Sequence, residues 1–163
     1  MKAFLISLAL LAASAGGAAA QTYWEGASNP AGTAIINTDA IEVAGDKRTA
    51  AISLILPKDA QIGGKPVAVL ITRQEFDCAA HTSRSLGLAV YSETAEMVVS
   101  SEQVQEAGAP LEEGSAGWTN MLIVCATPET RARYGKSLAG QAFRDIMNRV
   151  RSTSPATAAP GMP

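Results

Sequence analysis

Histidine, cysteine and aromatic residues are all scarce in this chain, and each scarcity removes a kind of chemistry. There is one histidine, His81, and there are two cysteines, Cys78 and Cys125. A zinc site needs four protein ligands, or three and a water, and these three residues do not supply one. A nucleophilic site needs a base oriented by a third group, which His81 does not have, so His81 reads as a solvated turn residue. No G-x-S-x-G, no phosphate-cradling glycine loop and no H-E-x-x-H occurs. The reading is of a protein that is not an enzyme and calls for no metal or cofactor. A net charge of −2 lacks the positive field that a nucleic-acid partner requires. Few rings among many Ala, Val, Ile and Leu imply an aliphatic core.

What is present begins with a leader. Met1-Lys2 precedes an apolar run, Ala3 to Ala13, and Ala18-Ala19-Ala20 fits the small-x-small cleavage rule. Residues 1–20 are therefore expected to be a signal peptide. The apolar run falls short of the roughly twenty residues that span a bilayer, and no cysteine near Gln21 offers a lipid-attachment point. The mature chain is expected in the periplasm or outside the cell. An even cysteine count behind an export signal reads as one disulfide, Cys78 to Cys125. Closing a loop of about 48 residues would stabilise the fold by roughly 4 kcal/mol in the chain-entropy model.

Strand signals follow one another from the mature N-terminus. Tyr23-Trp24 opens the domain and Asn29-Pro30 with Gly32 marks a turn. Runs at 33–37, 48–56, 67–76, 83–92 and 95–100 are rich in β-formers or alternate apolar with small residues. Short polar connections without helices between them favour an antiparallel meander of about six strands. Ser115 then offers an N-cap, and Trp118, Met121, Leu122 and Cys125 fall at i, i+3, i+4 and i+7, one face of a helix. The same stretch, Met121 to Val124, also reads as a buried strand. The architecture expected is α+β.

Beyond residue 126 the charge changes sign. Residues 21–126 hold thirteen acidic and six basic residues; from Thr127 onward six basic residues face two acidic ones. Thr127-Pro128 looks like a helix start, and Leu138, Ala139, Ala142, Phe143, Ile146, Met147 and Val150 form an apolar stripe. Arg133, Gln141, Arg144, Asn148 and Arg151 take the other side. The expectation is a basic amphipathic helix over 127–151 and a disordered tail over 152–163. Arg133, Arg144 and Arg151 are the candidate binding residues, for a membrane or other anionic surface. The alternative is that the stripe packs on the domain itself or on a second copy. Trp24 is another possible contact, or else core.

Taken together, several segments resemble the surface-adhesin protein E family of Gram-negative bacteria. They are Tyr23-Trp24, Ile36-Asn37-Thr38-Asp39-Ala40-Ile41, Gln74-Glu75-Phe76-Asp77-Cys78, the Arg84 strand to Tyr91-Ser92, Ala109 to Ser115, and Val124-Cys125. The resemblance covers roughly residues 23 to 125. It implies a curved antiparallel sheet with a helix disulfide-tethered to one face, in a non-enzymatic binding protein. The partner it implies is a protein or envelope component, including host extracellular-matrix proteins. The helix after Cys125 is an addition to that pattern, and the leader lacks the family's lipid-attachment cysteine.

Overall fold

The computed structural model describes residues 21–102 and 104–153. The expected signal peptide, 1–20, and residues 154–163 of the expected tail lie outside them. β1 (Tyr23–Asn29) and β2 (Gly32–Asn37) form a hairpin, and β2 is buried at successive positions from Gly32 to Ile36. A short 3-10 turn follows at Thr38–Ala40, where the Asn37 side chain accepts a hydrogen bond from the Asp39 N–H. β3 (Glu42–Ala44), β4 (Lys47–Ile55), β7 (Val69–Asp77), β8 (Thr82–Tyr91) and β9 (Met97–Ser101) continue the sheet. A small separate hairpin, β5 (Gln61–Ile62) with β6 (Lys65–Pro66), interrupts them.

The remaining elements are β10 (Ala109–Pro110), α1 (Ala116–Cys125), β11 (Lys136–Ser137) and α2 (Phe143–Thr153). The sheet order is β10-β8-β7-β4-β2-β1-β11, with β3 added beside β4 and β9 beside β8. Every pairing is antiparallel. The six longer strands are the expected meander, and the short ones complete its edges.

Alternation along the strands gives the sheet two apolar faces. Trp24, Ala34, Ile36, Ala50, Ile52 and Phe76 point to one, where they pack against Met121, Ile123 and Val124 of α1. The helix starts where the Trp118 N–H donates to Ser115 Oγ at 3.1 Å. At its other end the Arg131 guanidinium donates to the Ile123 and Ala126 carbonyls, at 2.9 and 3.1 Å. Those carbonyls have no partner inside the helix, and a cation suits that pole of it. Gly26 of β1 lets α1 approach closely: a Cβ there would lie 2.6 Å from Asn120 Oδ1.

The Cys78–Cys125 disulfide forms, with its Cα atoms 5.8 Å apart, and ties the end of α1 to the turn after β7. The inward face of α1 is Asn120, Met121, Ile123 and Val124, whereas the sequence spacing placed Trp118, Met121, Leu122 and Cys125 there. Trp118, Leu122 and Cys125 instead flank the core, partly buried. A helix that is apolar on nearly every side carries no periodic mark of its inner face, so docking and the tether decide it.

The opposite face buries Ile35 and Ile55 under Leu138, Ile146 and Val150, with Tyr23, Phe143 and Met147 alongside. The helix expected from Thr127 is present only from Phe143. Before it come a turn, a 3-10 turn at Arg131–Arg133, and β11, which pairs Ser137 with Trp24 and Lys136 with Glu25. Gly135 and Gly140 disfavour a continuous helix there, and the open edge of β1 takes the chain as a strand. At Gly135 a Cβ would lie 2.6 Å from the Glu25 carbonyl oxygen, so only glycine fits this approach. Ala139 and Ala142 of the expected stripe are exposed; Ser152 and Thr153, expected in the tail, form the last turn of α2.

Candidate binding groove

α2 covers only part of its face of the sheet. Cross-strand register sets Ile55, Val69 and Tyr91 side by side, then Ser53, Ile71 and Ala89. Beside α2, Val69, Ile71 and Tyr91 of these rows floor an open groove of about 730 Å³. Val69, Ile71 and Tyr91 line the sheet side; Phe143 and Met147 line the helix side; Arg144, Asn148, Arg151, Ser92, Glu93, Thr94 and Ala95 form the rim. Val69-Leu70-Ile71 is apolar at successive positions, the pattern of a strand covered on both faces. That signal was present in the sequence, but the strand alone does not say what covers the second face.

The β8–β9 turn is held by its own polar residues. The Ser92 N–H donates to the Glu96 carbonyl at 2.9 Å, the Glu96 N–H donates to Ser92 Oγ at 3.1 Å, and the Ser92 and Thr94 hydroxyls lie 2.9 Å apart. Ala95 closes the turn with φ of 62°, in the left-handed region that side chains other than glycine seldom adopt. The turn thereby fixes Glu93, a rim residue the sequence reading did not single out.

The three candidate arginines have different settings. Arg133 is exposed in the 3-10 turn before β11, away from the groove lining. Arg144 is exposed on the groove rim, and among the described residues it has no ion-pair or hydrogen-bond partner. Arg151, which spacing placed on a solvated face, is only 5% exposed. Its Nη2 lies 3.0 Å from Glu93 Oε1 and 3.5 Å from the Pro57 carbonyl oxygen. Its Nε and Nη1 are buried without a partner. Arg144 and Arg151 thus share the groove, and Arg133 does not join them.

The uncovered part of the same face is charged and internally neutralised. Lys47 Nζ and Arg84 Nε lie 3.0 and 2.9 Å from Glu75 Oε1, and Arg73 Nη2 lies 3.2 Å from Glu42 Oε2. Hydrogen bonds from Arg84, then Lys47, hold the Glu75 carboxyl below the usual carboxylate range. Glu75 and Asp77 do line one small depression of about 90 Å³. Glu75 is committed to two cations, though, and Asp77 Oδ1 accepts from the Ala79 and Ala80 N–H groups at 3.2 and 2.9 Å. This arrangement ties the ends of the strands together.

His81 turns with φ of 54° and sets its ring edge-on to Trp118, the centroids 4.9 Å apart. Trp24 is core, with the Arg131 guanidinium 5.9 Å from its ring centroid. Burial pushes the Arg131 pKa down from its ordinary value. Among the described residues no helix is long and apolar enough to cross a membrane.

A family model described as surface-adhesin protein E matches residues 22–126. No curated protein and no solved structure matches the chain. The match ends just after α1, so β11 and α2, and with them one wall of the groove, lie beyond it.

Proposed function

Because the chain belongs to the surface-adhesin protein E family, we propose that it is an exported, non-enzymatic binding module of the bacterial envelope. Its partner, an envelope component or a host matrix protein, is taken through the groove between α2 and the β8–β9 turn. The observation that carries this reading is an open apolar groove with arginines on its rim, in a chain whose cysteines are joined to each other. A disulfide and this family both fit an envelope or extracellular location. The signal-peptide pattern expected at 1–20 supports export.

Attraction of the basic segment to an anionic membrane surface is the rival reading. Interfacial helices bury an apolar face among lipid chains. In α2 that face is already packed on Ile35 and Ile55, so insertion would require the helix to leave its own sheet. Charge alone remains for such an attraction.

The test uses mature protein, residues 21–163, immobilised and offered envelope fractions and matrix proteins, with Ile71→Glu as the groove variant. Saturable capture by the wild type, weakened about tenfold or more by Ile71→Glu at unchanged melting temperature, is expected. Capture of nothing sinks the binding role. Equal capture by a folded Ile71→Glu variant removes the groove from it. Flotation with anionic vesicles checks the rival: the wild type is expected to stay unbound.

A further inference from the structure

We propose that the groove holds a single-chain amphiphile with a monoanionic head, the head on Arg151 and the chain running beneath Met147 toward Phe143. This rests on the groove being the contact surface and adds what occupies it. Arg144, Met147, Asn148 and Arg151 fall at i, i+3, i+4 and i+7 on α2, one side of the helix, and all four line the groove.

A buried guanidinium has strict requirements. N–H groups removed from water and left without acceptors are costly, and Arg151 Nε and Nη1 are in that state. Among the described residues its charge partner is Glu93, whose side chain is 66% exposed. Arg151 also lines an open cavity rather than a sealed core. An acceptor arriving from the groove would satisfy what the protein leaves open.

The geometry also sets the class of ligand. Charge-assisted hydrogen bonds from the unpartnered Nε and Nη1 groups suit anionic oxygens, those of a carboxylate or a phosphate. Arg151 is already partly neutralised by Glu93, so a single negative charge suits it better than two. Arg144, exposed and unpaired on the same rim, offsets the acidity of Glu93. Below the rim the lining turns apolar: Val69, Ile71, Phe143 and Met147. From Arg151 back to Phe143 the helix rises about 12 Å, which gives an alkyl chain apolar contact along that length. A free fatty acid and a lysophospholipid share this chemistry.

Native mass spectrometry and calorimetry on delipidated mature protein test the assignment with three probes: palmitate, 1-palmitoyl lysophosphatidylglycerol and uncharged hexadecanol. A one-to-one complex with an anionic probe is expected, weakened about tenfold or more in Arg151→Gln at unchanged melting temperature, with hexadecanol bound far less. Binding of palmitate alone assigns a free acid; binding of the lysolipid alone assigns a phospholipid head. No complex with either anionic probe overturns the proposal, as does equal binding of hexadecanol or full affinity in a folded Arg151→Gln protein. Arg151→Met, which keeps the stem that packs in the rim, serves if Arg151→Gln does not fold.

The two readings fail separately. If no lipid binds while Ile71→Glu still abolishes capture of envelope material or matrix protein, the ligand assignment falls and the groove stands. If palmitate binds as expected while Ile71→Glu leaves that capture intact, the amphiphile stands and the groove is not the adhesive surface.

Discussion

Arg131 and Arg151 are both withdrawn from water, and they do different work. Arg131 spends its donors on the last carbonyls of α1 and lies over Trp24. Arg131→Met should therefore lower stability by about 1–2 kcal/mol, read as a drop in melting temperature, because carbonyls at a helix end lose a charged donor. Arg151 keeps two donors open on the groove rim. Spacing alone could not separate these roles, since neither carbonyls five and eight residues earlier in the chain nor a turn across the sheet is visible to a helical wheel. The disulfide, by contrast, was legible from two cysteines behind an expected export signal.

Glu75 provides a residue-scale test against pH. Its folded-state pKa is lowered by Arg84 and Lys47. A lowered carboxylate contributes stability at pH values above its unfolded pKa, and that contribution is lost as pH falls through the folded value. Partly exposed pairs of this kind are screened, so Glu75→Gln should cost only about 1 kcal/mol at neutral pH. Chemical denaturation of both proteins from neutral to acid pH checks the sign: the gap between them should close as the medium becomes acid.

At the scale of elements, the disulfide and α2 are the two pieces whose removal matters most. Cys78→Ser with Cys125→Ser opens a loop whose ends are 47 residues apart in sequence, and should cost about 4 kcal/mol. Comparing denaturation of this variant with the wild type measures it. In α2, Ile146 is fully buried against Ile35 and Ile55, so Ile146→Ala should cost about 2–5 kcal/mol, the range for large-to-small changes in a core. If the helix were undocked, that change would cost almost nothing.

Elements were legible to unequal degrees, for physical reasons. The long strands at 32–37, 47–55, 69–77 and 82–91 were rich in β-formers or alternated and ended near turn residues, so their bounds were readable to within two residues. The stretch from Thr127 to Ala142 misled, because its Thr-Pro start and distant apolar positions imitate a helix. Its real structure depends on the β1 edge, a partner about a hundred residues earlier in the chain. Tertiary pairing overrides a local pattern of that strength. The groove was the least legible feature, since its walls come from β7, the β8–β9 turn and α2 together.

Over the whole molecule, one sheet serves two cores. The disulfide-tethered helix closes one face; the segment beyond the family match closes part of the other and leaves a groove beside itself. The charge asymmetry of the sequence is partly spent inside the protein. Arg149 lies 3.9 Å from Glu25, and Arg151 lies 3.0 Å from Glu93, joining the basic tail segment to the acidic body. Arg144 stays exposed on the rim of a groove floored by Val69 and Ile71.

Hydrogen-exchange mass spectrometry of the mature chain, with and without a captured envelope or matrix partner, locates the contact surface directly. Protection is predicted at the β8–β9 turn, residues 91–95, and along α2 at 143–151, with α1 and the Cys78 turn unchanged. Protection confined to the α1 side of the sheet, with the groove segments exchanging as before, would contradict the account.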